Sequence, residues 1–344
     1  MKFILKCFGV TILSAAGAFV IYILNHSDLA SVSYQSVNIA SVAQAVELKP
    51  EIVSILNFGD AMFGRKVGKF IHENGMDPFE FIKNYPDDIW NKADLIVLNL
   101  EGPISDATIC QEKAYSFRFE PDTADLLARN KIGLVNLSNN HSADCYERGL
   151  SDTRIFLELS KIGYFGGGNV SESYIEQAVG DKIIAFVGIN LTFDPRLDPS
   201  YLNLIKELKI RNDFVIVNIH WGTEYSKVAV NSQKTTGHKI IDAGADVIIG
   251  HHPHVIEPME IYNSRPIFYS LGNFIFDQLE LENNEGIGVK MDIDKNDWPT
   301  YEILPYKIEN MQPIFFDKEY TDSFCDEFLK DYADKRVGDC GFKI

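Results

Sequence analysis

Five apolar stretches of the chain each run into a side chain able to bind a metal ion or move a proton. SILNFGD ends at Asp60, and LIVLNLE at Glu101. GLVNLSNNH ends at Asn140 and His141. VIVNIHW reaches His220, and DVIIGHHPH carries His251, His252 and His254. Carboxylate, amide oxygen and imidazole together suit Mn, Fe or Zn, and a carboxylate can bridge two such ions. Ionisable groups packed at one place without a cation would be costly to desolvate. The expectation is a divalent metal centre holding one or two ions, with Asp60, Glu101, Asn140, His220, His252 and His254 as ligands. His252 and His254 lie two apart, so in an extended segment both rings face one way. His251 would then point the other way, and it is left out of the set.

Each residue alone has an ordinary alternative. Asp60 after Gly59 reads equally as a helix N-cap. Glu101 and Asn140 read as turn or cap residues, and His220 as a hydrogen-bonded core histidine. What favours a shared centre is position, because in α/β sheets ligands bind outside the carboxyl ends of the strands.

Strands are expected over 52–58, 94–100, 132–138, 183–190, 214–220, 246–250 and 266–271, with further ones over 286–294 and 301–305. Helical patterns cover 121–130, 150–161 and 231–243, and an acidic terminal helix is expected over 324–333. The strands are continuously apolar rather than alternating, which indicates a sheet covered on both faces. Strand–helix–strand order gives an α/β layered fold. No internal repeat and no low-complexity block interrupts it.

At 344 residues and 46% hydrophobic, the chain is long and apolar enough to bury a large core. Its net charge of −17 makes nucleic acid a poor partner. An anionic substrate would need a metal or a local basic residue to meet it. Arg65 and Arg118 are the candidates for that contact, each with the alternative of a solvated surface position.

The N-terminus reads as a separate object. Residues 7–24, CFGVTILSAAGAFVIYIL, carry no charge over eighteen positions, about the length needed to cross a bilayer as a helix. Lys2 and Lys6 precede this run and no Lys or Arg follows until Lys49. The positive-inside rule then places the N-terminus in the cytoplasm and the remainder outside. The expected organisation is a membrane anchor over 1–24, a Ser/Ala/Asn/Gln-rich linker over 25–46, and an extracytoplasmic domain over 47–344. An outside location permits disulfides. Cys110 with Cys145 and Cys325 with Cys340 is the favoured pairing; free thiols are the alternative. No C-x-x-C is present.

The strings GDAMFGR, LNLEGPIS, NLSNNHSADCYERGL, HWGTEY and GHHPHVIEPMEIYNSRPIFYSLGNFIFDQ resemble the bacterial CapA-type capsule synthesis family. That family is associated with poly-γ-glutamate capsules and is similar to calcineurin-like metallophosphoesterases. The resemblance covers residues 52–278. It implies a layered α-β-β-α metallophosphatase-like sandwich preceded by a transmembrane helix. By motif position it implies metal ligation by Asp60, Glu101, Asn140, His220, His252 and His254. It gives His141 the part of the histidine that protonates a leaving group or holds phosphate. Asp144, three residues on, is placed to orient that ring as carboxylates behind functional histidines do. Two departures stand out. The G-D-x-H element reads GDAM, so Met62 replaces a histidine, and Glu101 stands where Asp is usual. A thioether is a poor replacement for imidazole on a borderline metal.

The resulting expectation is a membrane-anchored protein of capsule biosynthesis or export, with a metal-dependent hydrolase site for an anionic capsule polymer or a phosphoester. Other capsule-synthesis membrane proteins are the expected partners. The alternative is a non-catalytic, polymer-binding assembly subunit with a degenerate metal site, which Met62 favours. Trp221, Tyr225, Tyr269 and Asn273 could line the pocket or simply pack and cap.

Overall fold

The computed structural model describes residues 12–15, 18–21, 52–84, 88–278, 284–294 and 299–344. The chain divides into two units, Met1–Leu48 and Lys49–Ile344. In the first, Ile12–Ala15 and Ala18–Ile21 pair as short antiparallel strands. The remainder of the expected anchor and the whole linker lie outside the described residues. Among the described residues no helix is long and apolar enough to cross a membrane.

The second unit is a mixed α/β fold built on two sheets. Strands β1 (Ile52–Ala61), β2 (Leu95–Leu100), β3 (Leu134–Asn136) and β4 (Gly163–Phe165) are parallel neighbours in the larger sheet. Helices α1 (Arg65–Asn74), α2 (Thr123–Arg129) and α3 (Tyr146–Leu159) lie between them in sequence. The smaller sheet holds β5 (Tyr174–Val179), β6 (Lys182–Asn190), β7 (Phe214–His220), β8 (Val247–His251), β9 (Ile256–Tyr262) and β10 (Arg265–Leu271). There α4 (Pro199–Arg211) precedes β7 and α5 (Asn231–Asp242) precedes β8.

Alternation along each strand sorts its side chains into layers. Val53 and Ile55 of β1, Val97 of β2 and Leu134 of β3 pack with Ile184 and Phe186 of β6, Ile216 of β7 and Ile249 of β8. That cluster fills the space between the sheets. The intervening residues Leu56, Phe58, Ile96, Leu98 and Val135 face outward against Val67, Leu126, Leu127 and Leu157 of α1, α2 and α3. Val187, Val215, Val217 and Ile248 do the same against Ile205 and Leu208 of α4 and Ile240 and Ile241 of α5. The central strands therefore carry continuous apolar runs because both faces are covered, each apolar side chain contributing roughly 1.5–3 kcal/mol on full burial.

After β10 the chain returns to the larger sheet. β11 (Asn273–Ile275) pairs with the end of β1, and β12 (Glu285–Asp294) lies antiparallel to β1 on its open side. β13 (Thr300–Glu309), β14 (Gln312–Phe315) and the small strands Arg336–Val337 and Gly341–Lys343 complete the edge. The terminal helix runs over Lys318–Phe328 rather than 324–333, because Asp317 caps it by accepting a hydrogen bond from the Tyr320 amide. Residues Lys330–Lys335 form a separate 3-10 turn. Helices α1 and α4, and strands β5 and β9, go beyond what the sequence pattern indicates. Both favoured disulfides are present, Cys110–Cys145 and Cys325–Cys340.

Candidate metal centre

The apolar layer between the sheets gives way to polar residues at the carboxyl ends of the strands. On β2 the inward positions read Val97, Asn99, Glu101; on β7 they read Ile216, Asn218, His220. On β1 they would read Ile55, Asn57, Gly59, but the register shifts between Asn57 and Asp60, and this irregularity turns Asp60 toward the cluster. Gly59 is required there, since a Cβ would lie 1.9 Å from the Gly272 carbonyl oxygen. The close approach lets the Asp60 amide donate to that oxygen at 3.1 Å.

Asp60, Glu101, His220 and His251 are wholly buried, and His141, His252 and His254 nearly so. Asp60 Oδ1 accepts from Asn99 Nδ2 at 2.7 Å and lies 3.5 Å from His251 Nδ1. Its Oδ2 lies 3.4 Å from His254 Nδ1 and accepts from the His252 amide at 3.2 Å. Glu101 Oε1 faces His141 Nε2 at 3.8 Å, His254 Nε2 at 3.8 Å and His220 Nε2 at 3.9 Å. Among the described residues neither Glu101 oxygen has a hydrogen-bond partner.

The histidine rings are held and tuned by their neighbours. His220 Nε2 lies 2.8 Å from Asn140 Oδ1, which can only accept, while Nδ1 lies 3.2 Å from the donor Asn99 Nδ2. Both ring nitrogens are thus engaged by side-chain amides. Burial first, then the His252 ring, holds its pKa well below the ordinary histidine value. Burial depresses His251 and His252 to about 4. Burial also opposes the charge on His254, but Glu101 and Asp60 outweigh it and raise this ring to about 9. Burial by itself would raise Asp60; the hydrogen bond from His254 and the surrounding imidazoles reverse this and leave it low. Glu101 is pushed well above the usual carboxylate range, by burial first and by the Asp60 charge second.

His141 Nδ1 lies 2.8 Å from Asp144 Oδ2, so its Nε2 is the atom turned to Glu101. Burial lowers this ring, against the opposing pull of Asp144. Asp144 is itself held by the Phe117 amide at 2.7 Å and by Lys113 Nζ at 2.5 Å. Phe117 stacks on the His141 ring with centroids 4.0 Å apart.

The donor set fits a divalent cation. Asp60, Glu101 and His254 offer ligand atoms within 4.8 Å of one another, and Glu224, His252 and His254 form a second such group. The unpartnered, buried carboxylate of Glu101 is the kind of group that a cation compensates.

The remaining candidates fall at several distances from this centre. His252 and His254 converge, but not along an extended segment: both have left-handed backbones, with φ of 98° and 59°. The turn begins at His252, so His251 still belongs to β8 and points inward beside Asp60, inside the cluster and not away from it. Met62 is buried in the apolar layer with its sulfur accepting from the Gly64 amide at 3.1 Å. Arg65 pairs with Asp277 at 3.0 Å and lies over the rings of Tyr115 and Phe117 at 5.6 Å, which puts it at the rim. Arg118 is tied to the Ser105 carbonyl oxygen and to Glu120, lining a cleft with Arg65, Lys69 and His72. Trp221 and Tyr269 pack on each other with centroids 5.9 Å apart. Asn273 Oδ1 accepts from His254 Nδ1 at 2.8 Å. Asn99, Asn136 and Asn218 join the polar layer without having been expected there, although Asn99 and Asn218 each stand two residues before a ligand on the same strand face.

The profile of a family described as bacterial capsule synthesis protein PGA_cap matches residues 54–278. The chain is 30% identical over 285 residues to the PGA biosynthesis protein CapA of Bacillus subtilis (strain 168), covering 76% of this chain and 73% of that one. It is 27% identical over 297 residues to the capsule biosynthesis protein CapA of Bacillus anthracis, covering 79% and 72%. Among solved structures, a hypothetical protein from Thermus thermophilus aligns with a TM-score of 0.45 at 17% identity, over 76% of this chain and 96% of that one.

Proposed function

The chain belongs to the bacterial capsule synthesis protein PGA_cap family, and on that premise we propose that its buried cluster is a metal-dependent hydrolase site of metallophosphatase type. It would act on an anionic polymer of the poly-γ-glutamate kind or on a phosphoester. The observation that carries this reading is Glu101, a fully buried carboxylate with no hydrogen-bond partner among the described residues, faced by three imidazoles. Buried polar side chains are ordinarily hydrogen-bonded, so a carboxylate of this kind calls for a compensating partner.

A divalent cation, when bound, supplies Lewis acidity and lowers the pKa of a water. Asp60, Glu101, Asn140, His220, His252 and His254 are the residues that would hold it. His141 is neutral with Nδ1–H directed to Asp144, so Nε2 can accept a proton and later return it to a leaving group. Phe117 and Asp144 keep that ring in place from two directions. Arg65 at the rim is positioned to meet a carboxylate or phosphate.

The same proposal places this domain outside the membrane, anchored by residues 1–24 and working beside other membrane proteins of capsule assembly. The uncharged run behind Lys2 and Lys6 and the two disulfides support it. The test is hydrolysis of poly-γ-glutamate and of a phosphoester panel by the full-length chain loaded with Mn, Fe or Zn. Activity should depend on the metal and be lost in Asp60→Asn and His252→Ala. Unchanged activity in folded forms of both variants would overturn the site.

Met62 favours a second reading, because its sulfur is satisfied by Gly64 and offers nothing to the cluster. On that reading the domain is a non-catalytic, polymer-binding assembly subunit. Normal capsule production by a His252→Ala strain would decide for it.

A further inference from the structure

We propose that Glu224 is a metal ligand, forming with His252 and His254 a cation position at the solvent side of the buried cluster. The inference rests on the metal-centre reading above and adds to it a residue outside the expected ligand set. Ligand atoms of the three side chains lie within 4.8 Å of one another. A carboxylate with two imidazoles suits Zn, Fe or Mn.

The backbone holds Glu224 there from both sides. The Trp221 amide donates to the His251 carbonyl at 3.1 Å, and the Tyr225 amide donates to the Pro253 carbonyl at 2.8 Å. The segment carrying Glu224 is thereby laced to the turn carrying the two histidines. The lacing needs unusual backbone: Gly222, Tyr225, His252 and His254 all have positive φ, at 90°, 64°, 98° and 59°. For the three non-glycine residues such conformations cost on the order of 1 kcal/mol each or more and cluster where function over-determines them. Gly222 has a second reason to be glycine, since a Cβ would meet Gln233 Nε2 at 2.7 Å.

An independent observation concerns His252. The residue is more than nine-tenths buried, yet among the described residues its Nδ1 has no hydrogen-bond partner. Its ring sits between those of His220 and His254, with centroids 4.8 and 6.0 Å away. A buried imidazole nitrogen left unpaired beside a carboxylate and a second imidazole is what a cation would satisfy. Glu224, unlike Asp60 and Glu101, is exposed. This position is therefore the one that an incoming substrate reaches first.

The test is a cation titration of the full-length chain, by Mn²⁺ electron paramagnetic resonance and by Zn²⁺ competition against a chromophoric chelator. Glu224→Gln should weaken binding tenfold or more, while Glu207→Gln, a similarly exposed change on α4, should not. Asp60→Asn reports separately on the inner cluster. Binding lost in Asp60→Asn but unchanged in Glu224→Gln would overturn the role of Glu224 and leave the metal centre standing. A wild-type chain that binds neither cation would overturn both. Circular dichroism melting of each variant checks that the fold is retained.

Discussion

Asn99 donates to Asp60 across 2.7 Å of fully buried space, and the same amide nitrogen lies 3.2 Å from His220 Nδ1. Its oxygen in turn accepts from Asn136 Nδ2 at 2.9 Å. One amide thus ties strand ends from both sheets into a single polar layer that includes the His220 ring. Such networks rigidify a core only when every member is satisfied.

Asn99→Ala breaks all of these bonds and leaves Asp60 and Asn136 short of partners. Each buried group left unsatisfied costs about 1–3 kcal/mol. Urea unfolding should show a loss in that range, accompanied by weaker Mn²⁺ binding. A variant as stable as the parent, with unaltered metal affinity, would mean that the layer does not organise the site.

The Cys110–Cys145 bond sits beside the two residues that steer His141. Lys113 and Phe117, on the bridged segment, are the groups that hold Asp144. A 35-residue sequence separation corresponds to roughly 3–4 kcal/mol of unfolded-state constraint in the chain-entropy treatment. The double variant Cys110→Ser/Cys145→Ser should lose about 2–4 kcal/mol in chemical denaturation. It should also lose any His141-dependent turnover more steeply than the Cys325→Ser/Cys340→Ser pair, which ties the terminal helix to the start of the last edge strand. Equal effects on turnover from the two pairs would count against a positioning role for the 110–117 segment.

The strands and the residues at their tips are legible in the sequence because burial on both faces writes a continuous apolar run, and each run ends in chemistry. The buried asparagines are not, because a lone Asn in a strand reads as a weakness. Only the pairing of Asn99 with Glu101 and of Asn218 with His220, on one face of each strand, carries a signal. His251 departs from expectation for a specific reason. Strict alternation assumes an extended chain, and the left-handed backbone at His252 ends the strand at His251. Glu224 is invisible in the sequence because its partners come from a turn held by two backbone hydrogen bonds, which spacing does not encode. The pairing of Arg118 with Glu120 shows the same limit at the surface.

Met62→His tests whether the missing imidazole can be restored. Met62 lies within the apolar layer, and its sulfur is occupied by the Gly64 amide. An imidazole there would be buried among apolar groups without a sure partner. A loss of about 1–3 kcal/mol is expected, with no gain in metal affinity. Met62→Leu, which nearly conserves volume, should cost less than about 1.5 kcal/mol. Tighter Zn²⁺ binding by Met62→His would show that this position does reach the centre.

Glu257 supplies a pH dependence separate from the metal ligands. It is almost fully buried, accepts from Gln233 Nε2 at 2.7 Å through Oε2, and among the described residues its Oε1 has no partner. Burial pushes its carboxyl up to about 7, against the opposing Gln233 bond, from an ordinary value of 4.5. Between those two values the folded chain keeps a proton that the unfolded chain has lost. Stability from this group is therefore complete below about 4.5, declines as pH rises toward 7, and levels off above it. Glu257→Gln cannot titrate, and its amide keeps an acceptor for Gln233. The urea midpoint of the parent should fall relative to Glu257→Gln as pH is raised from 4.5 to 7, and the difference should then stay constant. Taking the difference cancels the titration of the distant carboxylates and histidines that both proteins share. Parallel profiles across that range would mean that Glu257 is ionised in the folded chain, with Gln233 and solvent together satisfying the charge.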